Sequence, residues 1–199
     1  MKRTGRWLRI LLVFISPMVV CSCSTPNYLI LTSDRGGSEF QQDFPGRYML
    51  RTSAGDYHFI LVEQGVHPPQ DQRPDEPLQP APVAPLRQLV HIHVFWRPIR
   101  GAKPDNPSST NAAIDWYFIS NHGLSTQSVV HYQGGGFVTV NASTKSAAVD
   151  VRSAALYPAK SSGSLRDPFG TSNVTGSFVA LSDPGEVRDL LEEIQKLSR

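Results

Sequence analysis

Cysteine is nearly missing from this chain: of 199 residues only Cys21 and Cys23 carry a thiol. From Ser24 onward no disulfide, no thiolate metal ligand and no cysteine nucleophile can form, so whatever folds there is held by its own core. Long apolar runs are missing too. The longest, Ile10 to Val20, is broken by Ser16 and Pro17 and would span about 17 Å as a helix, well short of the about 30 Å of a bilayer's hydrocarbon core. Charge of one sign is also absent. Lys and Arg number 19 against 17 Asp and Glu, and four of the bases (Lys2, Arg3, Arg6, Arg9) crowd the first nine residues. Without them the remainder is slightly acidic, with no basic stripe, which excludes nucleic acid as a partner.

Catalytic signatures are equally scarce. There is no G-x-S-x-G elbow, no S-x-x-K and no H-E-x-x-H. Gly134-Gly-Gly136 is followed by neither a lysine nor a helix start, so it reads as a hairpin turn rather than a phosphate cradle. No internal repeat is visible.

The N-terminus is where the signal is strong. Met1 to Arg9 is basic and free of acid, Ile10 to Val20 is apolar, and Val20-Cys21-Ser22-Cys23 follows. This resembles the lipobox leader of bacterial lipoproteins. The resemblance covers residues 1–23 only and implies a signal peptide over 1–22, removed on export, with Cys23 as the lipidated first residue. Cys23 is preferred over Cys21 because small Ser22 precedes it, whereas branched Val20 precedes Cys21. A palmitate-bearing anchor at the membrane follows from the resemblance. Ser24 rather than Asp after the anchor is similar to the pattern that sends such proteins to the outer membrane, facing the periplasm. The structured remainder resembles no family.

Residues 23–45 mix Ser, Asp, Gly and Gln and read as a flexible tether. Residues 46–199 then form a single globular domain with a Pro-rich loop at 67–87. That loop holds two P-x-x-P spacings, Pro77–Pro80 and Pro82–Pro85, and reads as an exposed crossing in extended conformation rather than a ligand strip.

Within the domain, Tyr48–Thr52 and Tyr57–Val62 flank Ser53-Ala-Gly-Asp56 as a hairpin. A two-residue turn at Ala54-Gly55 would set Leu50 opposite Phe59 and Tyr48 opposite Leu61 on one buried face. Gln88–Trp96 alternates as a strand with Val90, Ile92, Val94 and Trp96 on one side and Leu89, His91, His93 and Phe95 on the other. Ile114–Ile119 is a further strand, and Val129–Val140 a second hairpin around the three glycines. Ala147–Leu156 and Val174–Leu181 are two more strands, separated by a loop at Pro158–Ser172. The C-terminus is helical: Asp183 as N-cap, Pro184 at the first position, Glu186 at capping-box spacing, then Val187, Leu190, Leu191, Ile194 and Leu197 as one apolar stripe. About seven antiparallel strands and one late amphipathic helix make an α+β domain, with a β-sandwich plus terminal helix as the alternative.

Two sets of residues could carry chemistry. His91 and His93, two apart on a strand, leave the same face, and the second hairpin sends His131 outward as well, so the three imitate a zinc site for a metal-dependent hydrolase. Against this, no acid is near the pair in sequence. Trp116 and Tyr117 sit on opposite faces of their strand and could form an aromatic platform for a glycan or peptide. The favoured reading needs neither set: a lipid-anchored envelope protein whose non-enzymatic domain, without cofactor, binds an envelope protein or glycan or supports an assembly.

Overall fold

The computed structural model describes residues 27–66, 86–95, 110–121, 124 and 126–199, with only the backbone of 64–66. The leader, Cys23, most of the Pro-rich loop, Trp96 and the polar segment 100–109 lie outside the described residues. Those described form one nine-stranded sheet and one helix: β1 (Tyr28–Ser33), β2 (Glu39–Asp43), β3 (Gly46–Arg51), β4 (Tyr57–Val66), β5 (Leu86–Val94), β6 (Ala112–Ser120), β7 (Ser128–Ala142), β8 (Ser146–Ser162), β9 (Ser172–Ser182) and α1 (Pro184–Ser198). The α+β architecture inferred from the strand pattern and the late amphipathic helix is therefore the one adopted. No helix among the described residues is long and apolar enough to cross a membrane.

Strands β3 to β9 pair antiparallel in sequence order. The chain's last strand then returns to β3 in a short parallel pairing, Tyr48 with Leu181 and Met49 with Ser182. The sheet closes on itself through that contact, so there is one curved sheet and not the two of a sandwich. Strand β1 pairs antiparallel along β9, and β2 adds to β1 as the outermost strand.

Period-two alternation, read through this closure, gives the two faces different jobs. The inner face is filled by Phe44, Phe59, Trp116, Tyr132 and Phe178 and the aliphatic residues between them, all buried. Trp116 stacks on Phe118 with centroids 5.7 Å apart and takes Phe44 edge-on at 5.8 Å. The polar atoms that must enter this interior are paired in a chain. Trp116 Nε1 donates to Gln88 Oε1, and Gln88 Nε2 donates to Gln42 Oε1, each at 3.0 Å, which offsets the desolvation they would otherwise carry. The outer face over β3 to β7 carries a second apolar set, Ile60, Val62, Leu89, Tyr117, Ile119 and Val129, and α1 lies on it with Val187, Leu190 and Ile194. Asp183 Oδ1 accepts from Glu186 N–H at 3.0 Å as the helix cap. The cap's own N–H goes to the Met49 carbonyl at 3.2 Å, tying the helix start to β3. Arg87 and Glu193 then join sheet to helix through two contacts of 2.8 and 3.0 Å.

Four expectations are corrected. Residues 28–43 are not tether: Leu29 and Leu31 alternate into the core and are fully buried, as is Phe44 beyond β2, an alternation too short to stand out beside the polar residues around it. The first hairpin has a three-residue loop. Thr52 N–H donates to the Asp56 carbonyl at 2.9 Å, Gly55 N–H to the Thr52 carbonyl at 3.1 Å, and Gly55 takes φ 98°, the geometry that wants glycine. One extra loop residue shifts the register, so Leu50 faces His58 and Met49 faces Phe59. Tyr48 and Leu50 thus lie under α1 while Phe59 and Leu61 point inward. The three glycines are no turn but the middle of β7. A Cβ on Gly134 would stand 1.8 Å from the Ala155 carbonyl oxygen, and one on Gly136 2.3 Å from that of Ser153, so their absent side chains let β8 approach. Finally, β8 runs through Pro158 to Ser162 instead of breaking. Its pairing with β9 ends at Leu156 opposite Ser172, so Pro158 falls where one side of the strand needs no donor.

A histidine–aspartate face and an adjoining cleft

Cross-strand register builds the candidate site. On the outer face, His58 of β4 stands opposite His93 of β5, His91 opposite Asp115 of β6, and Tyr117 of β6 opposite His131 of β7. Strand β6 thus lies between His91 and His131 and supplies a carboxylate to both. His131 Nε2 is 2.9 Å from Asp115 Oδ1, and His91 Nδ1 is 3.7 Å from Oδ2. His91 Nε2 in turn meets His58 Nδ1 at 3.0 Å, His58 stacks on His93 with centroids 4.2 Å apart, and His93 Nε2 is 3.4 Å from Asp56 Oδ2.

A carboxylate only accepts, so the His131 and His91 atoms facing Asp115 carry the protons. A His91 ring with its single proton on Nδ1 accepts at Nε2, and His58 Nδ1–H is then the donor. Burial, then the neighbouring His93 and His91, push the His58 imidazole down to about 4, so it stays neutral in the folded protein. Burial alone would raise the Asp115 carboxyl. The hydrogen bonds from His131 and His91 overcome that and hold it at about 2.

The histidines expected to form a metal site therefore do share a face, yet they do not converge. His91 and His93 stand as parallel rings 6.4 Å apart, inclined by 7°. Asp115 separates His91 from His131. Among the described residues no three His, Cys, Asp or Glu side chains are placed to hold one ion. The acids absent beside the pair in sequence reach it in space, since Asp115 and Asp56 both lie next to it. His58 is the member the sequence did not single out. Its alternation with Ile60 and Val62 was the available signal, but its pairing with His93 and His91 arises only from the β4–β5 register.

The aromatic platform fails for a different reason. Trp116 is 0% exposed inside the barrel, and Tyr117, 1% exposed, is roofed by α1. The Tyr117 ring lies flat on His131 at 4.2 Å and its hydroxyl meets Ser198 Oγ at 2.9 Å. Ser198 Oγ donates to the Ile194 carbonyl at 2.9 Å, which leaves Tyr117 as donor to Ser198. Burial, with the Asp115 charge added, raises the Tyr117 phenol above its usual range.

What the face does offer is a cleft of about 600 Å³ between the last turn of α1 and strands β6 to β8. Asp115, Tyr117 and His131 form its floor, Gln133 and Lys160 one wall, and Gln195, Ser198 and Arg199 the other. Lys160 Nζ donates to the Leu197 carbonyl across it at 3.3 Å. Beside Gln133, its cross-strand partner Tyr157 is 54% exposed. Comparison with known proteins supplies no relative: no protein-family model, no curated protein and no solved structure matches the chain.

Proposed function

We propose that this is a lipid-anchored cell-envelope protein, held through acyl chains on Cys23 at the outer membrane and facing the periplasm, whose folded part is a non-enzymatic binding or structural domain. The observation that carries the reading is the leader itself: basic Met1–Arg9, apolar Ile10–Val20, then Val20-Cys21-Ser22-Cys23. The domain's interior supports a scaffold role, because among the described residues aromatic and aliphatic side chains pack there against one another. Its polar face supports binding, because the histidines are engaged with carboxylates and one another, which leaves a fixed polar surface beside the cleft. Strand β1 opens at Tyr28, five residues past the anchor, so the domain stands within about 17 Å of it at full extension. With Cys23 acylated, so short a connection supports a domain held close to the lipid surface rather than at the end of a long tether.

The mass of the mature N-terminus and palmitate labelling test the anchor. The expected result is a chain beginning at acylated Cys23, with Cys23→Ser moving the protein to the soluble fraction. A Cys23→Ser protein that stays with the membrane would overturn the reading.

A further inference from the structure

We infer that the cleft at the end of α1 is a carbohydrate-binding site, in which His131, fixed by Asp115, accepts a hydrogen bond from a sugar hydroxyl. The inference rests on the reading of this domain as a binding module and names its ligand class. His131 lines the cleft and is itself 8% exposed. Its Nε2 is committed as donor to the Asp115 carboxylate, so a ring with one proton keeps it there and presents Nδ1 as an acceptor, and Nδ1 has no hydrogen-bond partner among the described residues. A ligand that satisfies it must bring an O–H or N–H.

Around that acceptor stand Lys160, which only donates, and the Gln133 and Gln195 amides, which do both. The set calls for a ligand alternating hydroxyl donors with oxygen acceptors, as a sugar ring does. A bare carboxylate or phosphate dianion could satisfy Lys160 but has no hydrogen for His131. Tyr157, exposed on the same face next to Gln133, offers a ring for the apolar face of a sugar, the amphipathic use for which tyrosine suits binding surfaces. Most pockets of this kind pair a few fixed polar groups with such an apolar surface.

The test titrates the full-length acylated protein, in a sugar-free zwitterionic detergent, with maltotetraose, cellotetraose, chitotetraose and, as the competing chemistry, tetraglutamate. Isothermal titration reads binding for the natural protein and for Tyr157→Ala, Asp115→Asn and Phe95→Ala. Phe95 is a second exposed ring, 42% accessible, on the His93 side of the sheet. The expected result is binding of at least one tetrasaccharide, weakened tenfold or more by Tyr157→Ala and by Asp115→Asn and unchanged by Phe95→Ala. Tyr157 projects from the surface, so its truncation tests the site even if Asp115→Asn loosens the fold. Absence of any sugar binding, a preference for tetraglutamate, or sugar binding indifferent to Tyr157→Ala would each overturn the inference. The anchored-protein reading fails separately, on an unacylated mature N-terminus, whatever the titration shows.

Discussion

A single carboxylate organises the polar face. Asp115 receives His131 and His91, and through His91 it orders His58, so one side chain on a central strand sets the tautomers of its neighbours. The consequence is a stability that depends on pH in a definite direction. His58 titrates at about 4 when folded and near its ordinary 6.5 when unfolded. Its contribution is complete above pH 6.5 and drains away as pH falls toward 4. Asp115 acts lower: held at about 2 against an ordinary 3.8, its contribution is present above pH 3.8 and lost on descent toward 2. The His58 contribution is on the order of 1–2 kcal/mol once solvent screening at a half-buried group is allowed for. Urea midpoints at pH 7.5 and 4.5 should therefore fall less for His58→Gln than for the natural protein, and equal falls would contradict the linkage. None of this could be read along the chain. The two H-x-H residues were visible as a shared face, but Asp115 and His58 reach them only through register.

The elements show how glycine can mean opposite things. At Gly55 it supplies a positive φ for a turn, as the sequence pattern implies. At Gly134 and Gly136 it supplies empty space within β7, where β8 comes too close for any Cβ. Composition cannot separate a turn glycine from a close-approach glycine, because both lie between apolar strand-forming segments. The distinction predicts that Gly134→Ala destabilises the protein by about 3 kcal/mol, the upper part of the range for overpacking a tight site. Thermal melts check this, and a variant as stable as the natural protein would restore the turn reading. Helix α1 stands at the other extreme. Its cap, its proline and its stripe are all local features, and each appears in the structure where the sequence sets it. The exception is the second half of the capping box: the Asp183 N–H goes to Met49 of β3, a partner no local pattern reveals.

At the scale of the whole molecule, closure of the sheet decides which apolar face is filled from within and which needs a cover. The barrel interior packs against itself, whereas Ile60, Val62, Leu89, Ile119 and Val129 depend on α1. Removing Asp183–Arg199 should leave the inner core assembled but expose that outer face, giving a protein that binds a hydrophobic dye, aggregates and melts lower. A truncate that stays soluble with an unchanged melting temperature would contradict the packing. Alternation, capping and turn residues are local, and from them the sequence by itself determined the class of fold, the C-terminal helix with its buried stripe, and the inward and outward faces of β5. Register, closure and the neighbours of each histidine depend on contacts between residues far apart in the chain. Only the tertiary structure decided that Leu29, Leu31 and Phe44 belong to the core, that Trp116 and Tyr117 are covered, and that His91 and His131 meet Asp115 while His93 meets Asp56.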